Sequence, residues 1–389
     1  MSPPAATAAP RPTGGGAAAR SKILQALDLQ PVLIPFYAIV LAVVVGGLLM
    51  TFTGADPFEA YWALLRGMFG SPDRVAGSIA RSVPFIGSAL AVAFAFRAGL
   101  FNIGGEGQLL VGGVTAAWVG TWDVVHHLPG IAAIPVVVLA GMTGGALWAG
   151  IPGVLRAKTG AHEVISTIML NNVGLFLVRW MVNSQKPVVL RDPTASVPRT
   201  AAVAGSARLP ELWDSQPRLH LGLFLLIAAA LAIWFVLNRT TLGFAVTTTG
   251  TNPDAAHYAG ISVGAVIIAS MVVSGSLAGL AAASEVSGTN GFYQPGTFAA
   301  MGFDGIAIAL LARANPLGIL PAALLWGSML SGAGLMQQEA GVSIDVVRVV
   351  QAMVLLFVAA DAIVRYLFRV KRHDGPHLVT TASTGLAGR

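Results

Sequence analysis

Residues 96–108, FRAGLFNIGGEGQ, hold one acid, Glu106, two amides, Asn102 and Gln108, and four glycines, and they lie between runs with almost no charge. A carboxylate beside two amides can exchange hydrogen bonds with a polar solute or pass a proton, and Phe101 can stack on a planar one. Each glycine costs about 1 kcal/mol relative to alanine in a helix interior, so the stretch is predicted to break a helix. Broken backbone at membrane depth survives only when it is buried in protein or lines a wet cavity. The stretch therefore reads as part of a solute path.

Asp304 is a second acid inside an apolar run, 298–312. A charge near the bilayer centre costs about 2.5–3.5 kcal/mol, so both acids need a reason to be there. Two are open: a water-filled path or gate, or a cap at the positive end of a broken helix. Glu163, Thr167, Asn171 and Gly174 recur at i, i+4, i+8 and i+11, which puts them on one helical face, expected to look into the protein. Asn171 and Asn172 either line the path or hydrogen-bond neighbouring helices. Phe101 either stacks on solute or packs.

Several chemistries are excluded. His162-Glu163 begins like a zinc-protease helix, but position 166 is serine, and His126 and His127 read as interfacial, so no metal site and no catalytic residue are assigned. With no cysteine, thiolate catalysis and Cys-ligated metals are absent. There is no Gly-x-x-x-x-Gly-Lys-Ser/Thr loop, so ATP, if used, is bound by another polypeptide. Nor is there a Ser/His/Asp set or the Asp-rich pair expected of an enzyme acting on phosphorylated lipids.

These residues must be positioned by membrane helices. Hydrophobic residues make up 55% and charged residues 10% of the 389, and the mean hydropathy is +0.74. An ordinary soluble domain carries about 25% charged residues. Continuous apolar runs indicate helices, since barrel strands would alternate. The net charge of +6 suits basic cytoplasmic edges and gives no reason to invoke nucleic acid. The fold class is all-α: about ten spans, near 32–52, 79–96, 109–122, 128–155, 163–182, 219–237, 261–284, 298–312, 314–336 and 346–368, with a broken or re-entrant segment.

Arg81 is placed to snorkel, Pro84 to kink, and Gly275 and Gly279 mark close helix packing. The segments 56–77, 185–218 and 239–260 read as loops, the first with an interfacial helix. Residues 1–30 are a disordered cytoplasmic tail, 31–368 the transmembrane domain and 369–389 a basic cytoplasmic tail. Basic residues at 20, 22, 156, 158 and the C-terminus put both termini in the cytoplasm, against those between Lys186 and Arg218.

Four stretches, 96–108 (FRAGLFNIGGEGQ), 160–172 (GAHEVISTIMLNN), 250–262 (GTNPDAAHYAGIS) and 302–318 (GFDGIAIALLARANPLG), resemble in order and spacing the permease subunits of bacterial ABC importers. The branch is that of nucleosides and simple sugars, close to the branched-chain amino-acid group, and the likeness covers roughly 83–365. It implies an importer in the bacterial plasma membrane with two permeases (identical or sister), ABC ATPase subunits, an extracellular substrate-binding lipoprotein and surrounding lipid. ATP and Mg would sit on the ATPase, and this chain would bind no cofactor. It also implies that 250–262 is the cytoplasmic coupling element. Gly250, Asn252, Pro253, Asp254, Ala255, Ala256, Tyr258 and Gly260 match it.

The residues agree with a short helix there. Asn252 and Pro253 can start it, Asp254 suits its positive end, and Ala255, Ala256, Tyr258 and Ala259 offer a small apolar docking face. The threonines at 247–249 and Asn172 depart from the common pattern. Two other readings stay open: an ion-coupled secondary transporter using Glu106 or Asp304, and a membrane-embedded transferase.

Overall fold

The computed structural model describes residues 30–52 and 54–359. The expectations for 1–29, for the end of the last span and for the basic tail lie outside them. The helices, in order, are α1 (Gln30–Phe52), α2 (Pro57–Phe69), α3 (Pro72–Arg97), α4 (Gly105–Gly120), α5 (Asp123–His127), α6 (Gly130–Thr159) and α7 (Glu163–Asn183). A small hairpin of β1 (Glu211–Trp213) and β2 (Leu219–His220) follows. Then come α8 (Gly222–Arg239), α9 (Thr241–Thr251), α10 (Pro253–Tyr258), α11 (Val263–Glu285), which runs on into a π turn at Val286–Asn290, α12 (Met301–Leu311), α13 (Ile319–Ala340) and α14 (Ile344–Ala359).

Among the described residues, six helices are long and apolar enough to cross a membrane: α3, α6, α7, α8, α11 with its π turn, and α13. Phe36–Phe52 and α12 are shorter apolar helices. The central one is α3, 83% buried over its apolar window and packed against α11, α12 and α13. Ser71 caps it by accepting from Arg74 N–H (3.3 Å), Pro72 occupies its first turn, and it runs unbroken through Pro84. Arg81 is exposed on it, as are Arg74 and Arg97.

Helices α6 and α11 meet through glycines, as Gly275 and Gly279 predict. A Cβ on Gly275 would lie 2.2 Å from the Gly145 carbonyl oxygen, and one on Gly279 would lie 2.1 Å from that of Gly141. Only a bare backbone permits that approach.

Two expected loops are more structured than their polarity suggests. Segment 239–260 forms α9 and α10, with Thr240 accepting from Gly243 N–H (3.2 Å) to cap α9. The segment before α3 folds as α2, which buries Ala60, Ala63, Leu64 and Met68 and packs on α13. The long 184–221 connection holds only a 3-10 turn at Gly205–Ala207 and the β1–β2 hairpin, but it is tied down. Val203 and Leu209 N–H donate to the carbonyls of Gly291 and Ser287 (2.8 and 3.0 Å), and Ala204 N–H donates to that of Gly120 (2.8 Å). Within it His220 is fully buried, its Nδ1 accepting from Gly222 N–H (3.1 Å). Burial, reinforced by the charges of Arg218 and Arg208, pushes the imidazole pKa down to about 4.

Candidate functional site

Helix α3 stops at Gly99, whose φ is +71°. Gly99 N–H donates to Phe96 O (3.0 Å) and Leu100 N–H to Ala95 O (3.0 Å), the double return bond of a glycine-terminated helix. Residues 100–103 have no regular structure before α4 restarts at Gly105. The predicted break is therefore real, and it spans fewer residues than its glycines: Gly105 and Gly107 are helical.

Buried side chains hold this bare backbone. Asn102 Oδ1 accepts from Gly104 N–H (2.9 Å) and Gln108 Nε2 (3.0 Å), while its Nδ2 donates to Gln108 Oε1 (3.1 Å) and Ser274 Oγ (2.7 Å). Ser274 in turn donates its hydroxyl hydrogen bond to Ala91 O (2.6 Å). Asn171 accepts from Gly107 N–H (2.8 Å) and donates to Ile103 O (2.9 Å). Thr167, fully buried, donates back to Glu163 O (2.7 Å). An amide offers two hydrogens and two lone pairs, and all four of Asn102 are used inside the protein.

The stripe Glu163, Thr167, Asn171 and Gly174 is buried along α7, facing inward as its spacing requires. Its first member does more than its place in the stripe suggested. The Glu163 carboxylate stands 3.3 Å from Arg156 Nε and accepts from Phe101 N–H (3.4 Å). Ser274 and Trp148 were not singled out. Trp148 Nε1 would meet a Cβ on Gly107 at 2.9 Å, so the indole lies against the first turn of α4. The signal for Ser274 was a serine one turn from Ser270 in an uncharged helix.

Glu106 works across the molecule. Its carboxylate accepts from Ala300 N–H (3.0 Å) and Gly302 N–H (2.9 Å), capping the start of α12, where free N–H groups and the helix dipole favour an anion. Ala300 has φ +65°, a left-handed geometry costing a non-glycine residue about 1–2 kcal/mol, and Glu106 holds it there. Asp304 lies one turn into α12, half-buried, and does not make that cap. Phe101 is exposed, its ring 4.9 Å from that of Phe96. Asn172 is exposed and donates to Ile168 O within its own helix (3.2 Å).

At 250–262 a capped helix is present. Asn252 Oδ1 accepts from Ala255 N–H (3.0 Å), Pro253 follows, and Gly260 (φ +79°) closes the helix with Ile261 N–H on Ala256 O (3.0 Å). Tyr258 is 90% exposed, and Asp254, Ala255 and Ala259 are exposed beside it. Ala256, expected on the docking face, is instead fully buried, because one side of so short a helix must rest on the body of the chain. Gly250 joins this region to the break. A Cβ there would lie 2.3 Å from Arg97 O and 2.7 Å from Gly99 N. Among the described residues no group of three or more His, Asp or Glu could hold a metal.

The family described as "Branched-chain amino acid transport system / permease component" matches residues 75–359. The chain is 40% identical to a guanosine ABC transporter permease protein of Bacillus subtilis over 351 residues, 89% of this chain and 98% of that one. It is 36% identical to a nucleoside ABC transporter permease protein of Lactococcus lactis, covering 87% of this chain and 93% of that one. It is 33% identical to a glucose ABC transporter permease protein of Haloferax volcanii, covering 83% and 86% respectively. No solved structure matches.

Proposed function

The chain belongs to the family of branched-chain amino acid transport system permease components, and from that premise we propose how its parts carry solute. It is the permease component of an ABC importer for nucleosides or sugars, a non-catalytic membrane subunit. Its nearly full-length likeness to guanosine and nucleoside permeases makes a nucleoside the first solute to test. The observation that carries the mechanical reading is the backbone contact of Gly250 with Arg97 and Gly99, which seats the coupling region directly on the broken helix.

In this reading ten spans, both termini in the cytoplasm, form half a pore in the bacterial plasma membrane, completed by a second permease. Tyr258, Ala255 and Ala259 dock into an ATPase subunit that binds ATP and Mg. Asn252, Pro253 and Gly260 shape the helix, and Asp254 favours its positive end. Motion of this helix pushes through Gly250 on the break. Phe101 and Asp304, which are not sealed, touch the path; Asn102, Gln108, Thr167 and Asn171 hold its wall; Glu106 ties α4 to α12 as the joint between them. A binding lipoprotein delivers solute at the opposite face, and alternating populations of two conformations complete the cycle.

The test is guanosine uptake into proteoliposomes holding this chain with its ATPase, sister permease and binding protein. Uptake requiring ATP and all components supports the reading. Uptake by this chain alone, driven by a proton or sodium gradient, would overturn it in favour of an ion-coupled carrier at Glu106 or Asp304.

A further inference from the structure

A cavity of about 510 Å³ lies where α3, the π turn after α11 and the chain leading into α12 come together. Ligand pockets typically measure about 300–1,000 Å³, with a few polar groups fixing orientation. Here those groups are Arg81, Glu285, Thr289, Asn290 and Gln294, and Met301 at the start of α12 is part of the wall. Arg81 and Glu285 both line it. The half-buried side-chain amides of Asn290 and Gln294 make no hydrogen bond within the described residues, unlike those of Asn102, Gln108 and Asn171. The wall is also irregular where function favours it, since π turns in α-helices occur frequently at functional sites.

We propose that this cavity is a recognition site for the hydroxylated ring of the transported solute. The chemistry is a carboxyl group able to exchange hydrogen bonds with neighbouring hydroxyls, a guanidinium to donate to ring oxygens, and two amides able to do both. None of the residues lining the cavity is aromatic, so a planar base has no ring to stack on there, and the selected part is the sugar that nucleosides and simple sugars share. The cavity adjoins Met301, next to the Ala300 N–H that Glu106 holds, so a bound solute sits against the joint between α4 and α12.

This inference rests on the importer reading above, and the test separates the two. The assembled importer in proteoliposomes is compared with the double variant Asn290→Ala/Gln294→Ala, using guanosine, glucose and guanine as probes. Loss of two hydrogen bonds to solute corresponds to a kcat/KM for guanosine or glucose lower by about tenfold or more. Because the chain contains no cysteine, Asn290→Cys in the same complex supplies a second readout by mass spectrometry of maleimide labelling. Guanosine or glucose slows that labelling and guanine does not. Uptake within twofold of wild type in the double variant, or labelling indifferent to every probe, overturns the site while leaving the importer reading intact. A wild-type complex that carries neither guanosine nor glucose overturns the importer reading itself. If the double variant fails to assemble, the labelling result decides.

Discussion

Around the break at 98–104, polar side chains are sealed and every bond they make ends on the protein. On helix α10, proposed above to couple to the ATPase, polar and aromatic side chains face outward, Ala256 is buried, and Gly250, near the end of α9 just before it, lies against the backbone of residues 97–99. Asn102 is 0% exposed and Tyr258 is 90% exposed. The contrast teaches that richness in amides and acids does not by itself mark a ligand surface in a membrane protein. Irregular backbone needs partners, and Asn102, which uses all four of its hydrogen-bonding positions inside the protein, has none left for solute. A surface for a partner or a solute is marked by groups left without one.

The largest effect expected from breaking that contrast is at Asn102. Asn102→Leu leaves the Gly104 N–H and both ends of the Gln108 amide without partners, each group worth about 1–3 kcal/mol when buried, and takes the incoming donor from Ser274, which keeps its bond to Ala91 O. Loss of about 3–5 kcal/mol should appear as a collapse in folded yield and in the detergent melting temperature. A variant that melts like wild type would mean that the cluster has slack and could serve solute after all.

His220 extends the contrast to the 184–221 connection. It too is buried with its acceptor nitrogen in use. Its imidazole stays neutral in the fold down to about pH 4, whereas an unfolded one takes up a proton near its ordinary 6.5. Between those values the unfolded state binds more protons, so stability is whole above about pH 6.5 and falls as the pH drops towards 4, by up to about 3 kcal/mol. Melting temperature measured from pH 7 to pH 4 should show this slope, and His220→Gln should flatten it.

The six long apolar helices and the inward face of α7 were legible because hydropathy and the 3.6-residue period act on whole helices. The stripe from Glu163 to Gly174 and the pair Gly275 and Gly279 lie where their spacing puts them. The break was legible from Gly99, which ends α3 in a conformation glycine adopts freely. What could not be read was partnership across distance. Glu106 caps a helix that begins almost two hundred residues later, and nothing local to either segment announces the match. Ala256 illustrates the converse limit, because composition nominated a docking face and only packing decides which of its alanines turns inward. The 239–260 segment looked like a loop since its threonines are weak helix formers, yet Thr240 caps α9 and Val246 is buried.

The contact between the two regions can be tested directly. Gly250→Ala adds a methyl group that would sit 2.3 Å from Arg97 O, which has to yield by moving the coupling region off the break. The expected cost is about 1–3 kcal/mol of packing. ATP hydrolysis should persist while solute carried per ATP drops, read as the ratio of uptake to phosphate release in the same vesicles. An unchanged ratio would place the transmission elsewhere.

The smallest change to this chain is expected at Tyr258, where the contrast is sharpest. Its side chain is almost wholly exposed, so Tyr258→Ser should shift the melting temperature of the isolated permease hardly at all, within about 0.5 kcal/mol. If the ring is an anchor for the ATPase, its removal weakens their association by about 1–2 kcal/mol, near tenfold, measured by retention of ATPase on immobilised permease. Ala256→Glu should do the reverse and unsettle the permease itself, because a charge there has no room and no partner. Two residues apart on one short helix, one substitution is silent for folding and the other is not. Equal retention of ATPase by Tyr258→Ser and wild type would mean that the exposed face of α10 is not the docking surface.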